Sequence, residues 1–110
     1  MLNIMKIDDY QAVISYDPEI ELFRGEFVGL NGGADFYAST VEELHEEAKK
    51  SLNTFLEVCK KQGINPRKTY SGKFNIRIKP EIHAKAVIAA QSQQISLNEW
   101  ISQTIANATA

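Results

Sequence analysis

The feature that most constrains this sequence is a short segment of strict alternation at residues 73–79. Phe74, Ile76 and Ile78 alternate with polar residues, as in a β-strand that buries one face. Pro80 follows and ends any strand there, because proline cannot donate a hydrogen bond to a β-ladder. A single strand cannot form a sheet alone, so this segment needs a partner strand.

The residues after this strand are too few to bury its apolar face. Pro80 suits the first position of a helix, which is predicted to run to about Gln93. Ser96 and Glu99 have the spacing of a capping box and open a second helix. The predicted buried residues are Ile82, Ala86, Ala89 and Ala90 in the first helix and Leu97, Trp100, Ile101, Thr104, Ile105 and Ala108 in the second. Fewer than forty residues cannot form such a core alone, so the sequence predicts a homodimer that pairs the two strands. Its predicted core contains Phe74, Ile76, Ile78, Trp100 and Ile101.

The first half of the chain predicts a small antiparallel sheet. Residues 10–16 and 22–28 are rich in β-branched and aromatic side chains, and an Asp-Pro-Glu turn separates them, which is typical of a hairpin. Glycine-rich residues 29–33 supply a further turn, and residues 36–38 are suited to a third short strand.

A long helix is predicted to follow the sheet. Thr40 and Glu43 have capping-box spacing, in which the threonine hydroxyl accepts from the Glu43 amide and the glutamate returns to the Thr40 amide. Gly63 ends the helix and Pro66 prevents its resumption. Its apolar stripe comprises Val41, Leu44, Ala48, Leu52, Phe55, Leu56 and Cys59. The predicted fold class is therefore α+β.

Charge divides the chain into two parts. Residues 1–65 hold twelve acidic and six basic residues, net −6, whereas residues 66–110 hold two acidic and six basic residues, net +4. Opposite signs predict two modules with different partners, and a basic module is a candidate for nucleic-acid binding. The first nine residues, which include Asp8 and Asp9, are unlike a signal peptide, and no apolar run has the length of a membrane span. We therefore expect a cytoplasmic protein without membrane attachment.

The sequence offers little for catalysis or metal binding. One cysteine excludes a disulfide framework, and the two histidines, His45 and His83, lie on separate predicted helices. We expect no enzyme activity, no metal and no cofactor. One alternative stays open, a magnesium-dependent nuclease that uses clustered carboxylates. Its candidate ligands are Asp8, Asp9, Asp17, Glu19 and Glu21.

The second half closely resembles the ribbon-helix-helix (Arc/MetJ-like) DNA-binding fold. The resemblance is carried by Lys-Phe-Asn-Ile-Arg-Ile at 73–78, Pro-Glu-Ile-His at 80–83 and Ile-Ser-Leu-Asn-Glu-Trp-Ile at 95–101. In that fold two paired strands enter the major groove of DNA. The resemblance implies that base edges are contacted by Lys73, Asn75 and Arg77. It also implies that a phosphate is bound at the start of the last helix by Ser96, Leu97 and Asn98.

The chain from about Tyr10 to Ala106 resembles HicB-family antitoxins. The matching pieces are Thr-Val-Glu-Glu-Leu at 40–44, Phe-Leu-Glu-Val-Cys at 55–59, Pro66, Tyr-Ser-Gly-Lys-Phe-Asn-Ile-Arg-Ile at 70–78, Pro-Glu-Ile-His at 80–83 and Ser-Leu-Asn at 96–98. The resemblance implies a toxin-binding domain at residues 1–63, similar to a truncated RNase H-like sheet that has lost its catalytic acids. It further implies a linker at 64–72 and a ribbon-helix-helix dimerisation and DNA-binding domain at 73–110.

The implied partners are operator DNA and a HicA-type toxin, which is a ribonuclease that cleaves mRNA. The resemblance implies that the antitoxin represses the operon that encodes both proteins. The implied assembly is a homodimer, and the pairing of dimers into a tetramer stays an open alternative. An acidic surface at Glu42, Glu43, Glu46 and Glu47 would complement a basic toxin. Family members usually place glycine between the last two helices, and this chain has Gln94 there. At positive φ, glutamine would be less stable than glycine by about 1 kcal/mol. A second alternative is a stand-alone ribbon-helix-helix regulator whose N-terminal domain senses a ligand or a protein.

Overall fold

The computed structural model describes residues 3–110, so residues 1 and 2 of the predicted N-terminal domain lie outside the described residues. The chain divides into two compact units, one that ends at Ser71 and one that spans Gly72–Ala110.

The first unit contains a four-stranded antiparallel sheet and one helix. The strands are β1 (Ile4–Ile7), β2 (Tyr10–Asp17), β3 (Leu22–Phe27) and β4 (Asp35–Ala38), and the helix is α1 (Val41–Gln62). The sheet order is β1-β2-β3-β4, so every strand pairs with its neighbour in sequence. The predicted hairpin, third strand and helix are confirmed. β1 was not predicted, because four residues at a sheet edge are too few to establish a periodicity.

α1 packs on one face of the sheet. Leu44, Ala48, Leu52 and Cys59 of its predicted stripe are buried. Val41 is the exception, since 60% of it is exposed at the first helical position, where the core does not reach.

The helix ends follow the predicted capping with one correction. The Thr40 hydroxyl accepts from the Glu43 amide at 3.1 Å, as expected. The Glu43 carboxylate, however, accepts from the Ser39 amide at 3.4 Å and the Ser39 hydroxyl at 3.0 Å, rather than returning to the Thr40 amide. Ser39 offers two donors where Thr40 would offer one. At the other end Gly63 has φ 67°, the left-handed conformation that glycine tolerates best.

Much of the predicted linker is attached to the first unit. Leu30 and Arg67 form an isolated antiparallel bridge, and the Lys68 amide donates to the Gly29 carbonyl at 2.9 Å. Residues 65–68 therefore continue the fold of the first unit.

The second unit contains helices α2 (Pro80–Ser92) and α3 (Leu97–Ala108), which confirms both predicted helices. Only Ala86 and Ala90 are buried in α2, and α3 has no buried residue. Of the predicted buried faces, four residues are exposed instead: Ile82, Thr104, Ile105 and Ala108. Within residues 72–110 these faces lack a covering layer.

Gln94 joins the two helices in the left-handed conformation, with φ 57°. Its amide donates to the Gln91 carbonyl at 3.0 Å, and the Ile95 amide donates to the Ala90 carbonyl at 3.1 Å. This pair of bonds defines a Schellman cap. The turn therefore keeps the geometry that usually takes glycine, although glutamine occupies it.

Residues 73–79, the predicted strand, have no regular secondary structure in the single chain. A β-ladder requires a second strand, and the first unit's sheet does not supply one.

Candidate nucleic-acid and dimer interface

An apolar groove of about 600 Å³ lies between the two helices and the segment that precedes them. Ile76 and Ile78 line it from the segment, and Trp100 and Ile101 line it from α3. The other lining residues are Ile82, His83, Lys85, Ala86, Ala89, Leu97, Thr104 and Ile105. The groove therefore gathers four of the five predicted dimer-core residues on one surface. We call this surface the apolar groove.

The apolar side chains of the alternating segment are open to solvent. Phe74 is 68% exposed, Ile76 54% and Ile78 42%. Each such side chain contributes about 1.5–3 kcal/mol when it is fully buried, so this exposure leaves much of the unit's hydrophobic free energy unused. Phe74, the fifth predicted core residue, does not line the groove in the single chain.

The three predicted base-contact residues occupy alternate positions of the same segment. Lys73, Asn75 and Arg77 are all exposed. Arginine and lysine are suited to guanine O6 and N7, and asparagine is suited to adenine N6 and N7. Asparagine is a poor strand former, so its place between two basic residues favours base recognition over mere solubility.

The start of α3 presents backbone donors. The Ser96 hydroxyl accepts from the Glu99 amide at 3.0 Å, and the Ser96 carbonyl accepts from the Trp100 amide at 3.0 Å. The amides of Leu97 and Asn98 precede the first intrahelical bond and so have no helical carbonyl to donate to. Together with Ser96, Leu97 and Asn98 are the residues to which the ribbon-helix-helix resemblance assigns a phosphate. In a full capping box the Glu99 carboxylate accepts from the Ser96 amide. Here it accepts from Gln103 Nε2 at 3.3 Å instead.

The acidic residues of α1 are partly engaged in local contacts. Glu43 binds Ser39, and Glu47 pairs with Lys50 at 3.3 Å. Glu42 and Glu46 are exposed in the first two turns. This is the surface that the sequence assigned to a basic toxin.

The carboxylates of the nuclease alternative lie in or near turns. Asp17 accepts from the Glu19 amide at 3.0 Å in the β2–β3 turn. Asp8 and Glu21 have positive φ values of 53° and 54°. Within residues 3–110, no group of three His, Cys, Asp or Glu side chains is placed to hold a metal ion.

On the open face of the sheet, Arg24 connects β3 with β4. Its guanidinium donates to the Tyr37 hydroxyl at 3.2 Å, to Glu26 at 3.1 Å and to Asp35 at 3.3 Å. The hydrogen bond with Tyr37, followed by that with Glu26, raises the pKa of Arg24. The group therefore stays cationic and links strands that are already paired.

One set of contacts was missed by sequence reasoning. The Arg67 guanidinium carbon lies 4.0 Å from the centre of the Tyr10 ring, and its Nη2 donates to the Asp9 carbonyl at 3.1 Å. The sequence counted Arg67 only among the basic residues of the second half. No local spacing could reveal a partner that lies 57 positions earlier.

The HicB family matches residues 55–105, a span that runs from the second half of α1 through most of α3. The match covers 51 of the 110 residues, so this stretch of the chain is similar to the HicB family. No curated protein and no solved structure matches the chain. Across residues 3–110 no helix has both the length and the apolar character needed to cross a membrane.

Proposed function

We propose that this protein is a homodimeric, non-catalytic DNA-binding repressor that acts in the cytoplasm as the antitoxin of a type II toxin–antitoxin pair. The apolar groove is the observation that carries the proposal. It joins a segment of strand-like alternation to two helices, and no other element of residues 72–110 covers it. A second copy that pairs its own residues 73–79 antiparallel would cover both grooves at once and complete a ribbon-helix-helix dimer.

In this dimer the alternation separates the two functions of the ribbon. Phe74, Ile76 and Ile78 face the helices, which places Lys73, Asn75 and Arg77 on the opposite face. A two-stranded ribbon fits the major groove, so these three residues recognise bases. The amides of Leu97 and Asn98, with the positive end of the α3 dipole, bind a backbone phosphate and fix the register.

The first unit is proposed to bind a HicA-type toxin that cleaves mRNA. The HicB match supports this role, and the antiparallel sheet backed by α1 is compatible with a truncated RNase H-like domain. A ribonuclease must attract a polyanion, so its active surface is expected to be basic and to complement the exposed acids of α1. Charge reversal at Glu42 and Glu46 should then weaken co-purification with the product of the adjacent gene, more strongly at low salt than at high salt. Unchanged capture at both salt concentrations would assign the toxin contact to another surface.

A stand-alone regulator with a sensing domain is the second candidate, favoured by one observation. A cleft of about 570 Å³ lies in the first unit between the Gly32–Gly33 turn and α1, with Phe55 and Val58 among its lining residues. Its volume is in the range of small-molecule sites. The absence of a toxin gene beside this one, together with ligand-dependent DNA binding, would favour this candidate.

DNA recognition is tested by titrating the purified protein with DNA from upstream of its own gene, with scrambled DNA as competitor. A Lys73→Ala/Asn75→Ala/Arg77→Ala variant is compared with the wild type. Each lost base contact should cost about 1–3 kcal/mol, which leaves weak, salt-sensitive binding without sequence preference. Equal binding by both proteins would remove base recognition from the ribbon and leave the segment a role in dimerisation only.

Dimerisation is tested by sedimentation at several protein concentrations. Ile76→Lys places a charge in the proposed dimer core and should shift the protein to monomers, because an unpaired buried charge is strongly unfavourable. Val13→Lys is the matched control, since Val13 is also a half-exposed β-branched side chain but belongs to the first unit's sheet. An Ile76→Lys variant that stays as dimeric as the control would contradict the ribbon-helix-helix dimer.

A further inference from the structure

β4 is a terminal strand of the first unit's sheet, and its pairing with β3 shows which of its backbone groups point away from the sheet. The Phe27 amide donates to the Ala34 carbonyl at 2.9 Å, so these two residues form a hydrogen-bonded pair just before β4 begins. Hydrogen-bonded and non-bonded pairs alternate along an antiparallel ladder. The register of β3 with β4 therefore assigns the backbone groups of Phe36 to β3 and directs those of Asp35 and Tyr37 outward.

These outward groups form an open strand edge. The Asp35 carbonyl accepts from the Ser51 hydroxyl at 3.0 Å. Among residues 3–110 the Asp35 amide, the Tyr37 amide and the Tyr37 carbonyl have no hydrogen-bond partner. We call the outward amides and carbonyls of Asp35 and Tyr37 the β4 edge. Such a row of unpaired donors and acceptors is a template for another strand.

The side chains of β4 do little to block such pairing. Proteins often place lysine or proline on a terminal strand to prevent it. β1, the terminal strand on the other side of the sheet, carries Lys6, whereas β4 has neither residue type. The single charged side chain of β4, Asp35, is bound by Arg24 at 3.3 Å on the open face of the sheet. An approaching strand therefore meets backbone groups rather than a free charge.

A cleft lies beside the β4 edge. It is the cleft of about 570 Å³ between the Gly32–Gly33 turn and α1, and Asp35 and Phe36 line it as well. A strand added about 4.8 Å from β4 would direct alternate side chains to the two faces of the sheet. On the face that carries α1, the cleft wall includes Phe55 and Val58, and Val58 is 48% exposed. An apolar side chain of the added strand would be buried there.

The charge of the first unit favours a basic occupant. Residues 1–71 hold twelve acidic and eight basic residues, net −4. The charged residues that line the cleft are Asp35, Glu47 and Lys50, net −1. Complementary charge speeds association and disfavours like-charged partners. A row of backbone groups along a strand is matched by a peptide backbone rather than by a small molecule, so the occupant is an extended segment of a protein.

We propose that the β4 edge is the docking site for an extended segment of a basic partner protein, which adds a fifth strand to the sheet and places an apolar side chain against Val58. The proposal rests on the toxin binding proposed above, and the partner is that basic ribonuclease. Backbone hydrogen bonds to Asp35 and Tyr37 supply affinity, and the cleft selects the side chain. The exposed acids Glu42 and Glu46 of α1 attract the partner at longer range.

Two matched pairs of full-length variants test the site. Tyr37→Pro and Tyr37→Ala both remove the phenol, but only proline also removes the outward amide donor. The Tyr37 amide makes no bond within the sheet, and proline is tolerated on terminal strands, so β4 should keep its pairing with β3. Val58→Lys and Asn53→Lys add the same charge to α1, but only Val58 lines the cleft. Far-ultraviolet circular dichroism and slow reaction of the buried Cys59 with a thiol reagent verify that each variant is folded.

The first measurement is the affinity of each variant for the purified product of the adjacent gene. Tyr37→Pro should bind it about ten- to hundredfold more weakly than Tyr37→Ala, because a carbonyl of the partner strand loses its donor. Val58→Lys should bind it about tenfold more weakly than Asn53→Lys, because a charge in the cleft repels a basic strand and excludes its apolar side chain.

The second measurement is amide hydrogen exchange of the wild type with and without this partner. The Asp35 and Tyr37 amides have no hydrogen-bond partner in the free protein and should exchange rapidly, and binding should slow both by about tenfold or more. The Phe36 amide, which bonds β3, should be protected in both states. Docking on another surface would leave the two outward amides fast, so this readout is specific to strand addition.

The outcomes separate the two proposals. If the wild type does not bind the product of the adjacent gene, the toxin binding proposed above fails, and docking at the β4 edge fails with it. If the wild type binds while the Asp35 and Tyr37 amides exchange as fast as in the free protein, docking at the β4 edge is overturned and toxin binding stands on another surface. Equal affinity of folded Tyr37→Pro and Tyr37→Ala overturns it as well. Should Tyr37→Pro not fold, the exchange data and the comparison of Val58→Lys with Asn53→Lys decide the question.

Discussion

The turn between α2 and α3 offers a sharp test, because two neighbouring glutamines occupy opposite backbone conformations. Gln94 has φ 57° and Gln93 has φ −95°. The left-handed conformation costs a residue with a side chain about 1–2 kcal/mol, whereas glycine adopts it freely. The backbone bonds of the Schellman cap are unaffected by the side chain. Gln94→Gly should therefore relieve strain.

The size of the effect follows from two opposing terms. Relief of the left-handed conformation gains about 1–2 kcal/mol, and the added freedom of glycine in the unfolded chain costs about 0.4–1 kcal/mol. We expect Gln94→Gly to raise the free energy of unfolding by about 0.5–1 kcal/mol, the net of these terms. Gln93→Gly relieves no strain and should lower the free energy of unfolding by about 0.5–1 kcal/mol.

The assay is urea unfolding followed by tryptophan fluorescence. Trp100 is the single tryptophan and lies on α3, so the signal reports on the second unit. All variants are compared at one protein concentration, since the proposed dimer would have a stability that depends on concentration. Equal shifts for the two glycine variants, or a loss of stability in Gln94→Gly, would refute the reasoning from backbone conformation.

Three further predictions concern the first unit. Gly25→Ala should destabilise this unit by about 1–3 kcal/mol, because a Cβ there would lie 2.1 Å from the Phe36 ring. Gly33→Ala is the control, since its Cβ would lie in open space, and it should leave the midpoint of thermal unfolding nearly unchanged. Thr40→Ala should cost about 1 kcal/mol through loss of the α1 cap, measured as a lower urea midpoint by far-ultraviolet circular dichroism. Cys59 is buried, so its reaction with a thiol reagent should be slow in native protein and fast in urea; equally fast reaction in both would contradict the packing of α1.

Sequence alone was sufficient where the decisive contacts are local. The caps of α1 and α3 depend on residues three positions apart, and the structure confirms the Thr40 and Ser96 hydroxyl bonds. The sequence did not decide whether Gln94 alters the turn between α2 and α3, and the structure shows that Gln94 adopts the left-handed conformation. For the candidate interface, alternation predicted Ile76 and Ile78, and helical spacing predicted Trp100 and Ile101. The structure places these four residues on one groove, and their role in a dimer core stays a prediction.

The sequence could not predict contacts between distant segments. Both the Thr40 amide and Ser39 are near enough in sequence to donate to the Glu43 carboxylate. The position of Ser39 directly after β4 is the reason that Ser39 is the donor. β1 lacks a periodic signal of its own and is defined by its register with β2, in which Met5 lies opposite Ala12. Such choices depend on geometry that spacing does not encode.

From the sequence alone one obtains an α+β chain with opposite charge in its two halves, capped helices and a segment that alternates apolar and polar residues. These properties follow from periodicity, capping and composition, which act over a few residues. The tertiary structure alone decided that the Phe36 ring covers Gly25 and that residues 65–68 are anchored to the sheet by Asn31 and Tyr10. Both depend on bringing distant residues into van der Waals or hydrogen-bond distance, which only the packed sheet and helix can do.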